Sequence, residues 1–459
     1  MYNAYVTELK NVRKHPNADR LQLGDCFGNT VCVNLDYTEG QVGVYFPTDG
    51  QLSLEFAEAN NLLRKKDDAG NNIGGYMDPS KRNVTAIRLR GEKSDGLFLP
   101  LDCLASFGDI SELKVGDVIT TFNGHEICCK YIPRSNPKHN PTKLGNKSRK
   151  KKVPVAPMFA EHADTEQLAY NLNAFRPGDQ IEITLKMHGT SQRTGYLPVL
   201  KGFKKNLLDY ILRRDGKPIY DWGYVSGTRR TVLEDYNGGY YGGNAFREEH
   251  SKKFEGKLLK GETAYYEVVG FTNTGTPIMG QCSNKKLNDK EFVKQYGEIT
   301  TFSYGCEPHS SFETDSTHEE APQSDMYVYR MTMTNEDGVV IEYTPDFMRY
   351  RCEQMGVKCV PVFYKGIIPD GQNIVFDMET EEQYEETAGD FVKKIAEDFY
   401  DGTDPIGKTH IREGVVVRII NRPKFTAYKH KNFNFKALSG IIVETANIND
   451  MNQDLIAEL

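Results

Sequence analysis

Short stretches in which every second residue is apolar recur along the chain. In Ile181-Glu-Ile-Thr-Leu-Lys-Met-His-Gly-Thr-Ser191, Ile181, Ile183 and Leu185 fall on one side, and Glu182, Thr184 and Lys186 on the other. The pattern predicts a strand whose apolar side packs into a core while the lysine faces a polar cleft. Gly189, just beyond, would leave the backbone open to close approach by a phosphate or ribose. Ala264–Gly270 reads as an apolar strand interrupted by Glu267. Ile411–Ile420 reads as a β-branched strand with Glu413 near its start. In Phe425–Lys431, alternation places Lys429 and Lys431 on one face, and in Met326–Met331 it does the same for Tyr327 and Tyr329. Within Glu379–Asp404 the period changes. Phe391, Val392, Ile395 and Phe399 form one stripe of a helix.

Residues 1–130 carry short alternating segments such as Thr30–Asn34 and Val42–Phe46, separated by glycine turns. That spacing predicts a small all-β barrel. Residues 131–156 form a linker rich in Pro, Asn and Lys. It contains Lys147-Ser-Arg-Lys-Lys-Lys152, five positive charges in six residues, which suits either a phosphate backbone or a solvated tether. Residues 157–445 are expected to form a second domain, and 446–459 a tail.

Composition narrows the classes. A chain of 459 residues suits two domains. A net charge of −7 argues against a surface that embraces nucleic acid everywhere but leaves room for a local basic groove. The acidic stretch Glu313–Asp325 reads as a loop insertion, and the glycine-rich Asn237–Asn244 as a surface loop. Nine cysteines without metal-ligand spacing favour a reducing cytoplasm over a disulfide scaffold. No apolar run reaches the ~18 residues a membrane span needs, and no signal peptide or Walker-type phosphate loop is visible.

The run Lys186-Met-His-Gly-Thr-Ser191 matches a pattern in which a lysine takes a nucleotide monophosphate onto its side-chain nitrogen. With Glu267, the aromatic strand, Glu413 and the Lys429/Lys431 pair in that order, residues 157–440 resemble the RNA ligase branch of the ATP-dependent ligase and capping-enzyme superfamily. His188, where DNA ligases commonly carry aspartate, favours that branch. The resemblance implies an adenylated Lys186, with His188 in the catalytic group. It makes Glu413 a ligand for Mg²⁺ or Mn²⁺, and Lys429 and Lys431 holders of phosphate oxygens. Glu267 would hold a ribose hydroxyl, Arg229 (or Arg230) a phosphate, and Tyr329 (or Tyr327) would stack on adenine. Thr184, Met187 and Gly189 complete the nucleotide contacts. Many relatives read the base with a glutamate one or two residues before the lysine. Here those positions are Leu185 and Thr184, which leaves base choice to Thr184 and backbone groups.

His15-Pro-Asn-Ala-Asp-Arg-Leu21 and Ile87–Leu97 resemble OB-fold tRNA-binding modules, with Pro16 and Asn17 in a turn and Leu21 entering the barrel. An OB module ahead of a ligase domain resembles a nick-sealing RNA ligase family. The expectation is an α+β protein: an N-terminal OB-type barrel, then an adenylyltransferase domain of antiparallel sheets with flanking helices. It would join RNA 3′-hydroxyl and 5′-phosphate ends with ATP, at nicks in duplexes or RNA–DNA hybrids, in RNA repair. No membrane or protein partner is implied. A DNA ligase, a GTP-using capping enzyme and a non-catalytic RNA-binding protein are the alternatives.

Overall fold

The computed structural model describes residues 2–66, 68, 70, 72–132, 153–207, 209, 216–233, 235–236, 244–309, 321–370, 373–376 and 383–445. The basic run 147–152, the glycine cluster 237–243, most of the acidic stretch and the tail 446–459 lie outside them. Among the described residues no helix is long and apolar enough to cross a membrane, and all nine cysteines are free thiols.

The chain divides into two compact units, and the partition cuts across the expected boundaries. Cys282–Thr300 and the helix Phe433–Thr445 belong with the N-terminal segment rather than with 157–445. Charge pairs invisible to local pattern account for this. Arg88 lies 2.8 Å from Asp289, its Nη2 donates to Asn434 Oδ1 at 3.1 Å, and Lys436 lies 2.6 Å from Asp95.

Val42–Phe46 forms as expected and sits inside a four-stranded antiparallel sheet with Leu97–Pro100, Ala4–Glu8 and Val118–Ile119. Asn29–Val33 lies in a separate three-stranded sheet with Gln22–Cys26 and Lys10–Lys14. Among the described residues these ladders do not close into one barrel. An irregularity between Lys10 and Arg13, with Asn11 at φ +51°, bends the chain from one sheet into the next. The His15–Leu21 run is structural. Buried His15 places Nε2 3.1 Å from Leu89 O, and Asn17 Nδ2 donates to Arg90 O at 3.0 Å, so the turn anchors the Ile87–Leu97 segment. Leu21 stays half-buried, and Leu23 takes the core position instead.

In the second unit, a five-stranded sheet runs in the order Glu166–Gln167, Thr426–Lys431, Gly414–Ile419, Gln180–Lys186, Val362–Ile367. One face is apolar. Ile181, Ile183, Val415, Val417 and Ile419 pack against the helix Ala388–Tyr400 through Phe391, Val392, Ile395 and Phe399, the predicted stripe. The helix starts on a capping box formed by Thr387 and Asp390. A seven-stranded sheet contains Thr190–Lys204, Glu262–Gly270 and Ser324–Thr334 as neighbours. The segment read as one strand, 181–191, is therefore two. Gln180–Lys186 lies in the smaller sheet, Thr190 onward in the larger, and Met187–Gly189 crosses between them. Gly189 permits the crossing because a Cβ there would lie 2.4 Å from Val268 O.

Register then decides which side chains meet. Lys186 pairs across to Gly414, and Gly414 to Lys431; Thr184 pairs to Val416, and Val416 to Lys429; Glu182 pairs to Arg418, and Arg418 to Ala427. With strands about 4.8 Å apart, each set forms a row on the face opposite the core. Gly414 lies at φ +146°, and a Cβ on it would lie 2.0 Å from His430 O and 2.8 Å from Lys431 Cα. Both geometry and space demand glycine there. Gly414→Ala is expected to destabilise the protein by at least about 3 kcal/mol, the upper end of ordinary overpacking costs. Denaturant melts measure this directly, and a wild-type midpoint would show that the strands part without penalty.

Candidate active site

The first of these rows meets one carboxylate. Lys186 Nζ lies 2.6 Å from Glu413 Oε1, and Lys431 Nζ lies 3.5 Å from the same oxygen. His188 Nδ1 lies 3.8 Å from Oε2. Glu413 is 1% exposed, Lys431 6% and Lys186 20%, so only the terminal lysine of the strand opens onto the cleft. Burial pushes the Glu413 carboxyl towards protonation, but Lys186, Lys431 and His188 together outweigh it and hold the group below its ordinary value. Burial drives His188 down to about 3 against the pull of Glu413, with Lys186 and Lys431 adding to the drop. Its ring is neutral at physiological pH and packs edge-on to Phe302 at 4.6 Å. His188 is thus a buried neighbour of the carboxylate. Burial, followed by Lys431 and Lys186, lowers Lys429 to about 7.

Thr184, Met187, Glu267 and Tyr329 line the same cleft as Lys186. Of the two tyrosines, Tyr329 faces it, with its hydroxyl 3.1 Å from Ser191 Oγ and its ring edge-on to His162. Tyr327 is turned away and donates to Asp325 Oδ2 at 3.1 Å. Arg229 and Arg230 share Asp164, at 2.5 and 3.2 Å, and neither lines the cleft; Arg229 is the more buried. The space beside Gly189 is filled by Val268 and Glu267, not left open to a ligand. That glycine serves the join between the two sheets.

Several cleft residues escaped sequence reasoning. Glu182 is buried and accepts from Arg349 through both oxygens, at 3.0 and 2.8 Å. Alternation already put Glu182 on the face of Lys186, but a charged strand residue reads as solvated. Arg349, on the helix Pro345–Met355, has no local signal linking it to this strand. Phe425 lies between the guanidiniums of Arg330 and Arg418, at 4.8 and 5.0 Å from its ring centre. Arg418 is 3.7 Å from Glu342, and Arg330 Nε donates to the same carboxylate at 3.0 Å.

Among the described residues no three His, Cys, Asp or Glu side chains converge as a metal site. Glu413 supplies one hard oxygen donor group. That suits Mg²⁺ or Mn²⁺ held by a single carboxylate with waters and substrate phosphates.

Solved structures with this architecture exist. Naegleria gruberi RNA ligase with PPi aligns over 96% of this chain and 98% of its own, with TM-score 0.52 and 16% identity. A mutant of the same ligase with AMP and Mn covers 94% and 97%, with TM-score 0.51 and 16% identity. Another with ATP and Mn covers 97% and 99%, with TM-score 0.50 and 16% identity. The chain has an RNA ligase fold. No family model matches it, and no curated protein sequence does.

The lowered Lys429 has a consequence for stability. An unfolded lysine titrates near ~10.4, so the folded chain holds this proton less tightly. The resulting penalty is full below about 7 and relieved as pH rises towards the unfolded value. Lys429→Met is expected to raise the melting temperature at pH 6, with the gain shrinking towards pH 10. Thermal melts across that range check it, and a pH-independent gain would refute it.

Proposed function

We propose that the protein is an ATP-dependent RNA ligase that joins 3′-hydroxyl and 5′-phosphate ends at nicks through a lysyl-AMP on Lys186. The observation that carries this reading is the Lys186–Glu413–Lys431 cluster at the mouth of an enclosed cleft, in a fold shared with RNA ligase structures solved with ATP, AMP and Mn. In the first step Lys186 Nζ loses its proton and attacks the α-phosphorus. A P–N bond forms, and the bond to pyrophosphate breaks. Lys429 and Lys431 hold phosphate oxygens. A divalent cation at Glu413, when bound, supplies further positive charge to the phosphates.

Glu413 has a second role. As the nearest carboxylate, 2.6 Å away, it holds the Lys186 side-chain nitrogen in place at rest. Positioning and charge neutralisation then carry most of the rate, as phosphoryl-type transfers require. Tyr329 stacks on adenine and Glu267 takes a ribose hydroxyl, with Thr184 lining the same cleft as Lys186. Arg229 meets a phosphate once Asp164 releases it. AMP then passes to a 5′-phosphate, and attack by a 3′-hydroxyl seals the strand and releases AMP. The N-terminal unit is the proposed OB-type RNA-holding module, with 2′-hydroxyl contacts marking RNA. The free thiols fit a cytoplasmic protein.

Incubation with α-labelled ATP and Mg²⁺ or Mn²⁺ tests this. Label is expected to survive denaturation in wild type and to vanish in Lys186→Ala. It should fall about 100-fold or more in Glu413→Ala, which strips charge stabilisation from the transfer. Labelling by GTP alone would redirect the reading to a capping enzyme, and no label with either nucleotide would end it.

A further inference from the structure

Behind the Met187–Gly189 crossing, two loops of the second unit form a buried scaffold that the proposed reaction does not yet use. The His188 N–H donates to the Tyr304 hydroxyl at 2.7 Å. Tyr304 is 3% exposed and sits at φ +50°. A bulky aromatic residue in that region is unusual and carries strain, so the surroundings must hold it there. They do so from one side. The Tyr304 N–H donates to His410 Nε2 at 3.4 Å, the two rings meet edge-on at 4.5 Å, and His410 also touches Phe302.

The His410 tautomer is set as well. Nδ1 lies 2.9 Å from Ile411 O and carries the proton, which leaves Nε2 to accept. His410 is in turn fixed by Asp404, whose N–H donates to His410 O at 2.8 Å. The Asp404 carboxylate accepts from the N–H groups of Ile406, Gly407 and Lys408 at 2.6–3.3 Å. Asp404 and His410 are both fully buried. The loops touch through glycine, because a Cβ on Gly407 would lie 2.4 Å from Gly305 N.

One end of this scaffold reaches the backbone two residues after Lys186. The other continues from His410 to Glu413 within three residues. The two partners of the central ion pair are therefore registered to each other from behind, by groups that do not line the cleft. We propose that Tyr304 is a positioning residue of the transfer site. Its phenol oxygen, held by the Asp404–His410 loop, fixes the His188 amide and so aims Lys186 relative to Glu413. This rests on Lys186 being the nucleotidyl acceptor.

Tyr304→Phe keeps the ring and removes only the acceptor. Single-turnover labelling with α-labelled ATP is expected to slow by about 10- to 100-fold, the scale of a slight misplacement of reacting groups. The half-saturating ATP concentration and the melting temperature should stay close to wild type. Hydrogen exchange at the His188 amide should accelerate while that of Ile183 does not. Gly407→Ala, which wedges the loops apart against the Gly305 backbone and leaves the Tyr304 hydroxyl in place, should give the same rate loss. Ser303→Ala, which removes only an exposed 3.3 Å contact to Thr409, should leave the rate intact. A Tyr304→Phe protein with wild-type rate and wild-type His188 exchange overturns the inference. So does a rate loss that Ser303→Ala reproduces. A wild-type protein that takes no label with any nucleotide fails the ligase reading first, and this inference falls with it.

Discussion

A single buried carboxylate organises the charged cluster of the second unit. Glu413 has lost nearly all contact with water, and an ionised carboxylate in that position persists only beside positive charge. Lys186 and Lys431 supply it. The arrangement is asymmetric in a useful way. Two ammonium groups answer one carboxylate, with Lys429 close enough to feel both, so the cluster carries surplus positive charge, with Lys186 on the cleft wall. A polyphosphate is the natural complement. At rest the same carboxylate lies 2.6 Å from the Lys186 side-chain nitrogen and fixes its position.

The cleft wall is ordered by the pleat. Lys186, Thr184 and Glu182 succeed one another along a single strand face, spanning about 13 Å at the usual rise per residue. Further along the strand lies a layer of ion pairs, Glu182 with Arg349 and Glu342 with Arg330 and Arg418, around Phe425. Buried pairs of this kind add little net stability, but they fix side-chain positions because breaking one strands a charge. The Lys186 end of the strand is the part left responsive to a ligand.

Local pattern made much of this legible. The strand bearing Lys186, the β-branched strand after Glu413, the lysine pair and the stripe of the helix Ala388–Tyr400 all follow from period-two and helical spacing. Alternation could not choose between Tyr327 and Tyr329, since both share a face. The choice came from Asp325 capturing one hydroxyl. It also misjudged Gly189, whose missing side chain accommodates a carbonyl of the neighbouring sheet. His188, which the resemblance placed in the catalytic group, is buried edge-on to Phe302. The single barrel expected of the N-terminal segment is instead a set of separate small sheets, which also enlist a helix and a hairpin from far along the chain.

What the sequence determined alone is the set of chemically capable groups and the strand faces they occupy, because both depend on residue type and on neighbours one or two positions away. Tertiary structure decided which of those faces look at each other, through pairings such as Lys186 with Gly414 and Gly414 with Lys431. It also decided which charges are buried with a partner. Those outcomes depend on register between strands, the first of these pairs more than two hundred residues apart, and on the space a missing Cβ leaves. Neither quantity is encoded in any short window of the chain.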